Sequence, residues 1–180
     1  KKYPNHKIEV LRGNIDTRLE KLKNSDWDGA IFAQAGLERL ELNIKNKLLL
    51  KWMIPSAAQG AIALAAREEE VKLIDILKKM NCSQTMHCVN QERIFLKLMG
   101  GGCSMPISAH ASYEENDLIL ETNICSLDNK HLITDISIYK KDDLNAGLKS
   151  YNKILKKGAD KILKLNTNRW KEILFYLLLN

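Results

Sequence analysis

Proline and glycine are scarce in this 180-residue chain, three and nine residues respectively, and aromatic residues make up only 6% of it. So few backbone breakers exclude collagen-like and loop-rich all-β designs and favour long regular elements, with helix exceeding strand. Long apolar runs are missing too. The longest, Ile173 to Leu179, is far short of the roughly 20 residues that span a bilayer, so a soluble protein with no membrane partner is expected. The chain opens Lys1-Lys2-Tyr3-Pro4 with no initiating Met, apolar signal core or small-residue cleavage site, which reads as a piece of something longer. Cys82, Cys88, Cys103 and Cys125 lack the C-x-x-C spacing of zinc or redox motifs, and reduced thiols in a cytoplasm are expected. His6, His87, His110 and His131 are scattered without ligand spacing, so no metal is expected. What remains is 45% apolar and 28% charged, enough to bury a core and inconsistent with disorder.

Acidic charge is the scarcer sign. Lys and Arg number 28 against 22 Asp and Glu, a net charge of +6, and residues 1 to 60 hold 11 basic and 7 acidic groups, so the front third attracts anions. Between Lys149 and Lys171 eight basic residues face only Asp160. That run could mark a nucleic-acid face, but lysines at helical spacing are more simply a solvated helix surface, and no nucleic acid is expected as a partner.

Periodicity gives the organisation. His6 to Leu11 reads as a short strand, Arg12-Gly13-Asn14 as a turn and Ile15 to Lys23 as a helix. Ala30 to Ala33 is a second short apolar strand, followed by Ala35-Gly36 and a helix carrying Leu37 and Leu40. Two such units imply a parallel or mixed sheet with helices on its faces. Ala61 to Ala66 reads as a small-residue strand after the Pro55 to Gly60 break, and Glu68 to Met80 and Thr85 to Met99 as helices, the second stopped by Gly100-Gly101-Gly102. Ile107 to Ser112, Leu118 to Cys125 and His131 to Tyr139 alternate as an antiparallel meander. Helices over Leu144 to Lys156 and Arg169 to Leu179 would cover one face of it.

Two places can carry chemistry. Cys103 follows three glycines and precedes Ser104-Met105-Pro106, a loop whose backbone can approach a ligand closely. Its bland alternative is a small buried hydrophobe beside a glycine helix cap. Arg12 and Arg18 bracket Gly13-Asn14 at a strand end and helix start, where N–H groups and guanidinium forks can bind carboxylates or phosphates. Their bland alternative is surface solubility.

Five ordered motifs then carry a resemblance: Leu11-Arg12-Gly13-Asn14-Ile15-Asp16-Thr17-Arg18-Leu19, Ala33-Gln34-Ala35-Gly36-Leu37-Glu38-Arg39-Leu40, Ala58-Gln59-Gly60-Ala61, Glu92-Arg93-Ile94-Phe95-Leu96 and Gly101-Gly102-Cys103-Ser104-Met105-Pro106-Ile107. Together they resemble the porphobilinogen deaminase family, also called hydroxymethylbilane synthase. The similarity runs from about Ile8 to Leu163 and ends in Lys157-Gly158-Ala159-Asp160-Lys161-Ile162-Leu163, which is like the family's last helix.

The resemblance implies a transferase of haem and porphyrin biosynthesis that joins four porphobilinogen units head to tail, releasing ammonia at each step, to give a linear tetrapyrrole. It implies a dipyrromethane cofactor held by a thioether to Cys103, with Arg12 and Arg18 holding cofactor and chain carboxylates and Gly13 letting the backbone come close. Gln59 and Gly60, and the Ala33 to Gly36 turn with Ala33 and Ala35, would line the site as substrate-binding residues. Gln34 is bulkier than the family residue, Gly100 stands where an acidic residue is common, and residues 166 to 180 match nothing in the family. The tail's apolar stripe, Trp170, Ile173, Leu174, Leu177 and Leu178, reads as a docking face. The family's catalytic aspartate precedes the first residue here, so no catalytic residue is expected in this chain and Asp16 is a helix-start carboxylate.

The expected architecture is α/β plus α+β. Residues 1–57 form the second half of a periplasmic-binding-like α/β domain, 58–79 return to a mostly absent first domain, and 80–180 form a small antiparallel-sheet domain covered by helices and carrying the cofactor cysteine. The chain alone is expected to be inactive and to lack the cofactor if its primer cannot be assembled. Its partners are porphobilinogen, the growing polypyrrole and the missing N-terminal portion, with a monomer when intact. The alternative is a non-catalytic module that binds carboxylated anions through Arg12 and Arg18.

Overall fold

A computed structural model describes residue 3, residues 5–101 and residues 105–178, with side chains described as far as residue 168. The chain divides into two units, Lys2–Leu50 and Lys51–Asn180.

In the first unit, helix α1 (Ile15–Lys23) starts where Asn14 caps it, its Oδ1 accepting the Thr17 N–H at 2.8 Å. Helix α2 (Gln34–Arg39) has no side-chain cap and stops after six residues, Glu41 following in a left-handed conformation (φ 52°). Its Gly36 lies against α1: a Cβ there would stand 2.7 Å from the Ile15 side chain.

The second unit contains helices α3 (Val71–Lys78) and α4 (Ser83–Leu98), then strands β1 (Ile107–Glu114), β2 (Asp117–Cys125) and β3 (Leu132–Lys140), then helices α5 (Ala146–Lys156) and α6 (Ala159–Leu178). The three strands form one antiparallel sheet in the order β1-β2-β3, with Ala111 opposite Leu120 and Ile119 opposite Ile138. Alternation along β2 sends Leu118, Leu120, Thr122 and Ile124 to one fully buried face. Around Ile124 at one end of that face gather Phe95 of α4, Met99 just past its end, Ile154 of α5, and Ala159 and Ile162 of α6, while Leu118 and Leu120 pack with Cys88, Tyr139 and Ala146. The meander and the helices around it match the sequence expectation, an α+β arrangement in which helix exceeds strand.

On β3 the inward residues are polar, and α5 answers them. Asp135 and Ser137 are buried, with Lys157 Nζ 2.7 Å from Asp135 Oδ1 and Lys153 Nζ donating to Ser137 Oγ at 2.9 Å. Tyr139 meets Ser150 of α5 at 2.8 Å. Lysines expected to form a merely solvated surface are in part partners for buried oxygens, because β3 offers acceptors at the same spacing.

Three expected strands are corrected. Among the described residues, His6–Leu11, Ala30–Ala33 and Ala61–Ala66 have no regular secondary structure and join no sheet. A strand exists only through the ladder it shares with a neighbour, and these segments leave Ile8, Val10, Ile31 and Ile62 well exposed instead. The expected separate tail helix is also corrected: α6 is continuous from Ala159 to Leu178. Within it Asn166 is buried and helical, its Oδ1 accepting the Leu127 N–H at 2.9 Å and its Nδ2 donating to the Cys125 carbonyl at 3.0 Å. The apolar tail stripe from Trp170 onward lies outside the residues whose side chains are described. Among the described residues no helix is long and apolar enough to cross a membrane.

Candidate functional site

The first unit gathers five of the residues singled out by sequence. Gly13 adopts φ 120°, a left-handed conformation that disfavours any side chain, and a Cβ there would stand 3.0 Å from Thr17 Cγ2. That turn lets Arg18, one turn into α1, fold back so that its Nε donates to the Gly13 carbonyl at 2.8 Å. The bond fixes the plane of the guanidinium and engages none of its terminal amino groups. Arg12 is exposed just before the turn, and its carbonyl accepts from Lys21 Nζ at 3.2 Å. The Arg18 guanidinium and the Lys21 ammonium therefore stand near the N-terminal end of α1, with Arg12 two residues before its cap, where the helix dipole already favours anions. Asp16 lies in the first turn of α1, as a helix-start carboxylate should.

Ala33 precedes α2 in extended conformation and Ala35 lies within it; Gly36 packs against Ile15, so this turn lies beside the start of α1. Gln34 does not reach outward freely, because its Nε2 donates to Glu38 Oε1 at 2.6 Å.

Gln59 and Gly60 belong to the second unit, on a tight turn over Ser56–Gly60. Ala58 and Gly60 are both left-handed there (φ 62° and 89°), and the Gln59 N–H reaches the Ser56 carbonyl at 3.1 Å. Both residues are exposed. Beneath them lies a group to which the sequence motifs assign no role. Glu92 of α4 is buried, its Oε2 accepting the Ala58 N–H at 2.6 Å and its Oε1 the Ala111 N–H at 2.8 Å, with His110 Nδ1 3.7 Å away. A signal was present: Glu92 falls on the stripe Cys88, Glu92, Phe95, Met99, all of them buried.

Cys103 lies outside the described residues. The two ends of its loop are described. Gly100 leaves α4 with φ 65°, and a Cβ on Gly101 would stand 2.7 Å from Leu96 and 2.9 Å from Ile107. On the other side Met105 packs onto the core cluster around Phe95.

The three described cysteines are free thiols and differ in chemistry. The Thr85 side chain, and then its backbone, hydrogen-bond Cys82 and hold its thiol below the ordinary value, whereas burial, reinforced by the Glu92 charge, pushes the Cys88 thiol up. His87 is not a surface residue of no consequence: its Nδ1 meets the Tyr113 hydroxyl and its Nε2 the Asp143 carbonyl at 3.3 Å, so it ties α4 to the sheet and to the segment before α5.

Comparison with known proteins bears on these places. Residues 1–75 match the family model described as porphobilinogen deaminase, dipyromethane cofactor binding domain, and residues 86–156 match that of the porphobilinogen deaminase C-terminal domain. Porphobilinogen deaminase of Bacillus mycoides is 36% identical over 164 residues, covering 89% of this chain and 53% of that relative. That of Bacillus thuringiensis subsp. konkukian is 35% identical over 164 residues, with the same coverage. The chain spans about half the length of the curated relatives it matches. With the two matched regions taking up most of its length, in the family's own order, the chain belongs to the porphobilinogen deaminase family.

Proposed function

We propose that this chain supplies the carboxylate-binding and cofactor-bearing portion of a hydroxymethylbilane synthase, a transferase that condenses four porphobilinogen units head to tail with loss of ammonia. The observation that carries this reading is the guanidinium of Arg18, locked by its Nε to the Gly13 carbonyl beside the exposed Arg12 at the start of α1. Every porphobilinogen ring bears an acetate and a propionate, so a growing chain accumulates negative charge that rigid, bidentate guanidinium groups are suited to offset. A fork already held in plane loses little freedom on binding such a carboxylate.

The donor set fits dipyrromethane, whose carboxylates Arg12 and Arg18 would hold and whose thioether Cys103 would form. When bound, that group supplies the pyrrole terminus on which the product is built. Gly13 keeps the backbone clear of side-chain bulk; Gln59 and Gly60 are assigned to the incoming ring, and Ala33 and Ala35 are assigned a substrate-binding role in their own unit. Asp16 serves the start of α1 rather than acid–base chemistry.

The finer fold reading belongs to the same proposal: residues 1–57 as half of a periplasmic-binding-like α/β domain, 58–79 as a return to a first domain, and 80–180 as the cofactor-carrying domain. Exposed Ile8, Val10, Ile31, Ile62 and Leu64, on apolar segments that join no sheet among the described residues, support it, since such residues call for a covering neighbour. The assembled protein is monomeric and cytoplasmic, where the Cys103 thiol stays reduced.

The test is consumption of porphobilinogen by the gene product as the organism makes it. Turnover is expected, with a loss of about a hundredfold or more in Arg18→Leu at unchanged circular dichroism, as when a charged group loses its partner in a site closed to water. Normal turnover in that variant removes Arg18 from the site, and a wild-type protein that consumes none overturns the function.

A further inference from the structure

We propose that Glu92 is the positioning residue for the Ser56–Gly60 turn, a carboxylate that splices this turn onto the free edge of the sheet and thereby sets Gln59 and Gly60 in place. The inference rests on the reading that those two residues line the substrate site. β1 is an edge strand, and its outward N–H groups need acceptors. One is met by main chain, Ala109 N–H to the Pro55 carbonyl at 3.2 Å. At the next such group the turn offers no carbonyl but a second donor, the Ala58 N–H. A carboxylate can join two donors with a separate oxygen for each, and Glu92 does so, at 2.8 Å to Ala111 and 2.6 Å to Ala58.

The arrangement fixes more than one bond. Ala58 is held left-handed at φ 62°, a conformation unfavourable for alanine, so something must stabilise it, and the charge-assisted bond to Glu92 does. Ala57, next to it, packs on the core cluster around Phe95, so the turn is pinned through side chain and backbone together. Gln59 and Gly60 follow at once and are exposed. Glu92 is buried with both oxygens engaged by amides, so it is not itself an acid or base for substrate.

Glu92→Gln is the decisive variant, because it preserves shape and leaves only one acceptor for two donors. In the gene product as the organism makes it, amide exchange at Ala58 is expected to quicken about tenfold or more, while the β2 amides from Leu118 to Ile124 stay as protected as before. The KM for porphobilinogen is expected to rise about tenfold with kcat changed less than about threefold. In a Gln59→Ala background the same substitution should add nothing further to KM. Unchanged exchange at Ala58, an unchanged KM, or a KM effect that persists in full without Gln59 overturns the proposal. Should Glu92→Gln fail to fold, the wild-type Ala58 amide decides: protection supports the splice and free exchange refutes it. If the wild-type protein consumes no porphobilinogen, the functional reading fails while the exchange measurement still tests the splice.

Discussion

The two units of the chain differ in what holds them. Lys51–Asn180 buries Phe95, Leu118, Leu120, Ile124 and Ile154 completely, on a sheet whose register is set by twofold alternation. In Lys2–Leu50 no described residue is buried, and the unit rests on the Asn14 cap, the Gly13–Arg18 bond and the contact of Gly36 with Ile15. A nine-residue helix has little stability of its own, so local devices decide where α1 begins but not how firmly it persists. The region with the arginines is therefore shaped by local chemistry, and the region with the core by burial.

Truncations in the two units should diverge sharply. Phe95→Ala removes a fully buried ring and is expected to cost about 3–5 kcal/mol in urea unfolding of the second unit. Leu37→Ala, at a half-buried position of α2, should cost under about 1 kcal/mol. Equal losses would break the contrast.

A smaller effect is expected at the polar side of the core. Burial pushes the Asp135 carboxyl up, but hydrogen bonds from Lys157 and Ser137, with the nearby lysine charges, hold it below the usual Asp value overall. A carboxyl lowered on folding stabilises above its unfolded value of about 4 and loses that contribution as pH falls through its folded value. Asp135→Asn should cost about 1–2 kcal/mol at pH 7, moderated because Lys157 is half in water, and the gap from wild type should close in acid. A gap independent of pH would assign the effect to packing alone.

Asn14→Ala should cost about 1 kcal/mol of α1 stability. It should appear as faster amide exchange across Ile15–Lys23, with the β2 amides unmoved. Loss of protection in β2 would contradict a purely local role for the cap.

Much of the second unit is legible in sequence because its signals are local. The alternation of Leu118 to Cys125 and the glycine stop at Gly100 each act within a few residues, and strands and helix follow within about two positions of expectation. The segments around Ile8, Ile31 and Ile62 are legible as apolar runs but not as strands, since pairing depends on chain far away in sequence. Asn166-Thr167-Asn168 looks like a break between two helices, yet Asn166 spends its amide on the turn at Cys125–Leu127 and the helix runs through. At the candidate site, Arg12, Gly13 and Arg18 stand out in their motif because they are close in sequence, and one turn brings Arg18 onto Gly13. Glu92 escapes because a carboxylate beside Arg93 looks like a surface charge until the two amides it joins, 34 residues before it and 19 after, are known.

The intact mass of the gene product, purified without added substrate, tests the central claim most directly. The account predicts the polypeptide plus one dipyrromethane, a mass that returns to the bare polypeptide in Cys103→Ser. A wild-type protein that consumes porphobilinogen while carrying nothing on Cys103 would contradict it.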